Sequence, residues 1–270
     1  MDKRYPALRR CAAALLLLAL LPLCAGCGGA DALAQAAAEK EAQAAAEAAR
    51  PTPEATAEPT EEPEIPAEPE DGLLDESWFD DALFLGDSLT GSLNVYNLQF
   101  GGLGNALIFH VNGLSCHHIV EKDTQFNFKG RSCRIEEAVH LSGAAKLFLM
   151  LAMNDVGTRP ISELYECWTT MLRRIQETNP ELRIYVQSGT PLRLDVNYFT
   201  RENMDAYNQM LREVCDELDC VYVDITPGLA DEDGFLKDSY RLDDMHLNPE
   251  GCTIWVDNLR HTKSYSVPPV

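Results

Sequence analysis

Hydrophobic positions recur along this chain in two alternating patterns. Apolar runs at residues 82–85, 106–111, 146–152, 183–187 and 220–224 have strand length, and the last three mix β-branched, aromatic and Leu side chains. Between the third and fourth runs, Ile161, Leu164, Tyr165, Trp168, Met171, Leu172 and Ile175 fall three and four apart, a one-sided helical stripe that Asn179-Pro180 ends. A second stripe runs through Met204, Tyr207, Leu211, Val214, Cys215 and Leu218. Asn248-Pro249-Glu250 then opens a last helix containing Ile254, Trp255 and Leu259. Asn248 is the expected cap, and Pro249 suits a first turn that needs no N–H. These stripes, Trp168 and Trp255 included, read as core. Strands separated by helices need crossover connections, so the pattern predicts an α/β domain with a mostly parallel sheet covered on both faces. No internal repeat interrupts it.

The first part of the chain follows other rules. Lys3, Arg4, Arg9 and Arg10 precede an Ala/Leu run over residues 11–23, too short for a comfortable membrane span but suited to a secretory signal. Leu23-Cys24-Ala25-Gly26-Cys27 resembles a bacterial lipobox, with Cys24 where Leu is usual; lipidation is expected on Cys27, which would become the mature N-terminus. Residues 28–76 carry 14 acidic residues against 2 basic ones. Their Ala/Glu/Gln half has no apolar face to bury, and their Pro/Glu/Thr half is self-repelling, so the segment reads as an extended stalk. The expected organisation is a signal at 1–27, a stalk at 28–76, the folded domain at 77–262 and a short tail at 263–270. A membrane-anchored domain on the extracytoplasmic face follows.

Charge and cysteine content narrow the classes further. A net charge of −21 without a basic patch argues against nucleic-acid binding. Cys116, Cys133, Cys167, Cys215, Cys220 and Cys252 belong to the domain, and in an exported protein they could form up to three disulfides. Cys116 and Cys133 flank a polar loop and are the favoured pair; Cys167, Cys215 and Cys252 fall in predicted helices and read as small buried hydrophobes. No metal site is expected, since Cys116-His117-His118 suggests one only by adjacency.

Candidate chemistry sits at two distant blocks. Gly86-Asp87-Ser88-Leu89-Thr90 follows the first strand, and Asp243-Asp244-Met245-His246 lies near the C-terminus. A serine hydroxyl needs a base to take its proton, and a histidine base needs a carboxylate to hold its tautomer. Ser88, His246 and Asp243 supply those types, and the Asp-x-x-His spacing lets one turn of chain present both partners. Singly, Gly-Asp-Ser is often a turn and a His before a helix is often a surface residue; it is the combination that points to a hydrolase. Gly-x-Ser-x-Thr also differs from the Gly-x-Ser-x-Gly nucleophile elbow.

These blocks resemble the GDSL/SGNH hydrolase superfamily over about residues 80–259. Phe84-Leu85-Gly86-Asp87-Ser88-Leu89 is similar to its first block, Val111-Asn112-Gly113-Leu114-Ser115 to the second, Leu151-Ala152-Met153-Asn154-Asp155 to the third, and residues 243–251 to the last. The resemblance implies a flavodoxin-like three-layer α/β/α sandwich with a mostly parallel five-stranded sheet. It implies acyl transfer through Ser88, His246 and Asp243, with an oxyanion hole made by the Ser88 and Gly113 N–H groups and the Asn154 amide. Gly101, Gly102 and Gly104 are rivals for the Gly113 role. Ala152 stands where the family has Gly: a positive φ there would strain the backbone and displace Asn154, whereas an ordinary φ makes the change minor. No cofactor is implied. The expected substrate is an ester, foremost an O-acetyl group on a carbohydrate or cell-wall polymer, cleaved by a monomer. The alternatives are a lipase, lysophospholipase or thioesterase, an acyltransferase, or a non-catalytic binding module.

Overall fold

The five apolar runs form one parallel sheet in the computed structural model, which describes residues 72–267. The expected signal, Cys27 and the stalk up to residue 71 lie outside the described residues. In chain order the elements are β1 (Ala82–Gly86), α1 (Ser88–Phe100), β2 (Leu107–His110), α2 (Cys116–Glu121), β3 (Phe126–Phe128), β4 (Arg131–Cys133), α3 (Ile135–Ser142), β5 (Lys146–Met150), α4 (Ile161–Thr178), β6 (Arg183–Gln187), α5 (Arg201–Leu218), β7 (Val221–Val223) and α6 (Pro249–Arg260). The sheet order is β2-β1-β5-β6-β7, every pair parallel. Helix α1 packs with α6, and α4 packs with α2, α3 and α5, so helices cover both faces and the three-layer α/β/α sandwich is formed.

Burial on both faces explains why β1 is an unbroken apolar run and not an alternating one. Phe84, Phe148 and Tyr185 are cross-strand partners on β1, β5 and β6, and their rings stack at 4.5 and 4.6 Å between centroids. Under the other stripe, Trp168 of α4 is fully buried and donates its Nε1–H to the Tyr207 hydroxyl of α5 at 2.8 Å, and that hydroxyl donates to the Leu151 carbonyl. The chain thereby anchors the strand end from which Asn154 emerges. Trp255 of α6 is equally buried and donates to Gln187 Oε1 at 2.8 Å. Asn248 caps α6 through its Oδ1, which accepts from Gly251 N at 2.9 Å.

Three expectations are corrected. The segment between Cys116 and Cys133 is not one polar loop: it holds α2 and the hairpin β3–β4, turned at Lys129-Gly130 with both residues at positive φ. Strands of three residues are too short to show a period of two, so pattern reading misses them. The Cys116–Cys133 bridge is absent, and all six domain cysteines are free and buried. Cys116 faces Met171 on α4 at 4.0 Å between sulfurs, whereas Cys133 turns to the Phe126 carbonyl at 3.8 Å within its own hairpin. The tail is not wholly outside the domain, because Tyr265 is buried, pairs with Val223 across a β-bridge and donates its hydroxyl to the Leu259 carbonyl at 2.5 Å. At the other end Leu74 is also buried and its N–H donates to Arg260 O at 2.7 Å.

Candidate active site

All four blocks meet beyond the carboxyl ends of the parallel strands, where loops leave an α/β sheet. Gly86 ends β1 at a point of close approach, where a Cβ would overlap the Met150 carbonyl of β5 and the Thr90 hydroxyl of α1. Asp87 then caps α1, its Oδ1 accepting from Leu89 N at 2.9 Å. Ser88 is therefore the first residue of α1, with its N–H among the helix's unpaired donors and at the positive end of the helix dipole.

The loop before α6 is shaped by its own carboxylate. Asp243 Oδ1 accepts from Met245 N and His246 N, both at 2.8 Å, and Leu242 N donates to His246 O at 2.9 Å. This fold-back turns the imidazole toward β1. His246 Nδ1 lies 2.9 Å from Asp243 Oδ2 and 3.1 Å from Oδ1, and Nε2 lies 2.9 Å from Ser88 Oγ. The tautomer that satisfies both sides has Nδ1–H donating to the carboxylate and Nε2 accepting from the serine hydroxyl. The backbone donor of Met245, with the backbone and side chain of His246, holds the Asp243 carboxyl down at about 2 against the opposing effect of burial. Asp243 is thus a carboxylate throughout the neutral range, as an orienting partner must be.

Gly113 and Asn154 reach the same place by different routes. β2 lies beside β1 in register, and Val111 N donates to Gly86 O at 3.0 Å, which brings the Gly113 turn alongside Ser88. Gly113 has φ of +74° with no heavy atom within 4 Å of a Cβ position, so conformation and not space demands glycine there. Gly101, Gly102 and Gly104 lie elsewhere. They follow α1 at its far end, where the Gly104 Cβ position would overlap Glu76 and Asp80 ahead of β1. Asn154 donates through Nδ2 to Leu114 O at 3.0 Å and to Asp87 Oδ2 at 3.1 Å, joining blocks one, two and three. Ala152 is not among the residues at positive φ. It sits in an ordinary turn, its carbonyl accepting from Asp155 N and Val156 N, so the missing glycine costs no backbone strain.

Two groups that motif reading did not single out complete the arrangement. Asp87 has no exposed surface, and burial pushes its carboxyl up to about 6 although Leu89 N, His246 and the Asn154 amide all favour the charge. The capping preference of Asp directly before a helix was the available signal. Asp155, also fully buried, accepts from Cys116 N at 2.8 Å and pairs with His117 Nδ1 at 3.1 Å, a nitrogen that also lies 3.1 Å from Ser115 Oγ. Burial raises its pKa as well. His117 thereby fastens the second block to the third. Among the described residues, no group of three or more His, Cys, Asp or Glu side chains is arranged to hold a metal ion.

Asp87 makes stability depend on pH with a definite sign. Its ordinary value is 3.8 and its folded value about 6, so between them the native state holds a proton that the unfolded chain has lost. The native state is favoured most below pH 3.8, and that contribution fades as pH rises through about 6. Asp243 acts oppositely, but only below 3.8. Asp87→Asn removes the charge, so its stability relative to wild type is expected to improve by about 2 kcal/mol between pH 4 and 7.5. Urea unfolding of both proteins across that range checks this, and a pH-independent difference contradicts it.

Beside Asn154 and the loop that carries His246 is a cleft of about 380 Å³ whose walls include Asn154, Met153, Val156, Phe199 and Met245. Its outer lip is a tight turn in which Val196 and Phe199 exchange backbone hydrogen bonds at 2.9 and 2.8 Å, with Asn197 at positive φ and Tyr198 exposed at the tip. The turn rests directly on Gly157, where a Cβ would overlap the Tyr198 carbonyl. Arg193, at the base of this loop, pairs with Asp244 at 2.6 Å and so links the lip to the Asp243–His246 loop.

The sequence model of the GDSL-like Lipase/Acylhydrolase family matches residues 84–254. Among solved structures, a Bacteroides fragilis protein assigned as an acylhydrolase superposes with a TM-score of 0.54 at 13% identity, over 66% of this chain and 83% of its own. A GDSL-like lipase from Bacteroides thetaiotaomicron superposes with a TM-score of 0.51 at 15% identity, over 72% of this chain and 89% of its own. At such identities the likeness shows a shared fold. No curated protein matches the sequence. With a family match that spans every block gathered at the strand ends, the chain belongs to the GDSL-like lipase/acylhydrolase family.

Proposed function

We propose that this protein is an extracytoplasmic serine esterase that removes a short acyl group, foremost acetyl, from a carbohydrate or cell-wall polymer. The observation that carries the reading is His246 bridging Ser88 and Asp243 at 2.9 Å on each side. Ser88 Oγ attacks the ester carbonyl while His246 Nε2 takes its proton, and Asp243 stabilises the resulting imidazolium. The oxyanion forms against the N–H groups of Ser88 and Gly113 and the Asn154 amide. His246 returns the proton to the leaving alcohol. Water then attacks the acyl-enzyme by the same route, and the acid leaves. The location rests on the N-terminal signal, with Cys27 as the lipid-anchored residue and the acidic stalk as spacer. An exposed aromatic such as Tyr198 at the lip suits a sugar ring, whose C–H face packs on aromatic surface.

A second reading, a lipase or lysophospholipase, draws on a different feature. A groove of about 310 Å³ runs between α1 and the start of α6, walled by Val95, Tyr96, Phe100, Leu242 and Leu247, with Phe100 and Leu242 largely exposed. It flanks the loop that carries Asp243 and His246 and would suit a long acyl chain.

Hydrolysis of p-nitrophenyl acetate, butyrate and octanoate by the full chain separates the readings. The proposal expects kcat/KM to fall at least about tenfold from acetate to octanoate, equivalent to about 1.4 kcal/mol of lost transition-state binding. A rise toward octanoate selects the lipase reading. No turnover of any ester by folded protein rejects both.

A further inference from the structure

Three hydrogen bonds join the chain just after Gly113 to the third block. Asn154 Nδ2 donates to Leu114 O at 3.0 Å, Cys116 N donates to Asp155 Oδ2 at 2.8 Å, and His117 Nδ1 lies 3.1 Å from Asp155 Oδ1. Asn154 and Asp155 are consecutive in a turn that Asp155 N and Val156 N close on the Ala152 carbonyl and that the Thr158 hydroxyl braces on Asp155 O. A slip of one segment against the other therefore changes the separation of the Gly113 N–H and the Asn154 amide. Leu114 and Cys116 offer backbone atoms, which almost any residue supplies, whereas His117 contributes a side chain. The Asp155 side chain has no exposed surface and that of His117 keeps 14%. A carboxylate so desolvated depends on its donors, and losing one leaves it to turn elsewhere or to take a proton. Ser115 Oγ, buried at the start of α2 without a capping bond of its own, is 3.1 Å from the same His117 nitrogen. A hydrogen on Nδ1 serves both oxygens, which selects the tautomer and fixes the ring.

We propose that His117 is a positioning residue for ester hydrolysis: through Asp155 it sets the spacing between the Gly113 N–H and the Asn154 amide, so that both donors meet one oxyanion. The inference rests on the esterase reading and extends it to a residue outside the triad and the oxyanion donors. An oxyanion site works by donors that are already in place when the charge develops; donors that must first move lose that advantage at the transition state. Loosening the ladder at His117 therefore acts on kcat and leaves ground-state binding of the ester nearly as it was. The ring is suited to the task because one N–H reaches a buried carboxylate on the neighbouring block while the rest of the imidazole packs on His118, 4.3 Å away between centroids.

The test measures kcat and KM on p-nitrophenyl acetate for the full chain and its His117 variants. His117→Phe keeps a ring against His118 but has no donor, and it is expected to lower kcat about 10–50-fold with KM changed less than about threefold. His117→Ala runs in parallel with the same expectation, so the result does not hang on one variant folding. His117→Asn carries its amide nitrogen one bond from Cγ, as Nδ1 is, and is expected to regain at least about fivefold in kcat over His117→Phe. In an Asn154→Ala background, His117→Phe is expected to cost less than about threefold, because no pair of donors remains to be spaced. Wild-type kcat in a deletion variant overturns the inference. So does His117→Asn as slow as His117→Phe, or an equal loss with and without Asn154. A wild type without Ser88-dependent turnover defeats the esterase reading and this inference together, whereas Ser88-dependent turnover indifferent to His117 defeats this inference alone.

Discussion

Replacing Ser88 with Ala is expected to lower kcat on p-nitrophenyl acetate by about 10⁴-fold or more and to leave the fold intact. The Oγ is the only atom lost, and the structure gives it one demanding partner, His246 Nε2 at 2.9 Å. The elements around it do not lean on that bond. Asp87 caps α1, Leu85 and Leu89 on either side of the site are buried, and the Asp243–His246 loop is held by its own backbone hydrogen bonds. Urea midpoints of wild type and Ser88→Ala are therefore expected to agree closely, while the initial rates differ by orders of magnitude. A variant that keeps a tenth of the wild-type rate would remove Ser88 from the mechanism and leave the His246–Asp243 pair as a loop fastening.

Asn154→Ala is expected to lower kcat by about 10²–10³-fold with a much smaller change in KM, the mark of a donor whose bond strengthens at the transition state. The ground-state bonds of this amide make the experiment informative. Its two hydrogens go to Leu114 O and Asp87 Oδ2, so an oxyanion must draw one of them away from an existing acceptor. Asp87 then keeps Leu89 N as a donor, and its folded value of about 6 means that it can also be protonated at little cost when the amide turns to substrate. Deleting the amide strips one partner from a fully buried carboxyl and one from a backbone carbonyl, a structural cost of about 1–3 kcal/mol in the same variant. Paired measurement of kcat, KM and urea midpoint separates the two effects. Loss of stability with kcat unchanged would make Asn154 a fastening between blocks and no oxyanion donor.

The two blocks that carry Ser88 and the Asp243–His246 pair were legible because each holds its candidate chemistry in adjacent residues. Gly86-Asp87-Ser88 needs only the strand before it and the helix after it, and Asp243-x-x-His246 forms its turn with bonds inside the motif. The five strands and the long helices were equally legible, since burial on both faces writes continuous apolar runs and one-sided stripes into the chain. The signals faded where elements were short or where two distant segments set the outcome. The three-residue strands β3 and β4 left no period to read, and the Cys116–Cys133 pairing failed because proximity across a loop does not fix which way two sulfurs point. Ala152 could be judged only once its backbone angle was known. Which of the candidate glycines lies alongside Ser88 depended on the β1–β2 register, which brings Gly113 to that strand end and leaves Gly101, Gly102 and Gly104 at the far end of α1.

The sequence by itself determined the α/β class, the strand and helix order, and the residue types and sequential order of Ser88, Asp243 and His246, because local periodicity and short-range hydrogen bonding dictate these. Tertiary structure alone decided that Ser88 and His246, separated by most of the domain, stand 2.9 Å apart, that Asp87 is buried enough to raise its pKa, and that Cys116 faces α4. Those outcomes depend on how the sheet orders its strands and how helices stack on it. Distance and desolvation are properties of the packed chain, and no window of residues contains them.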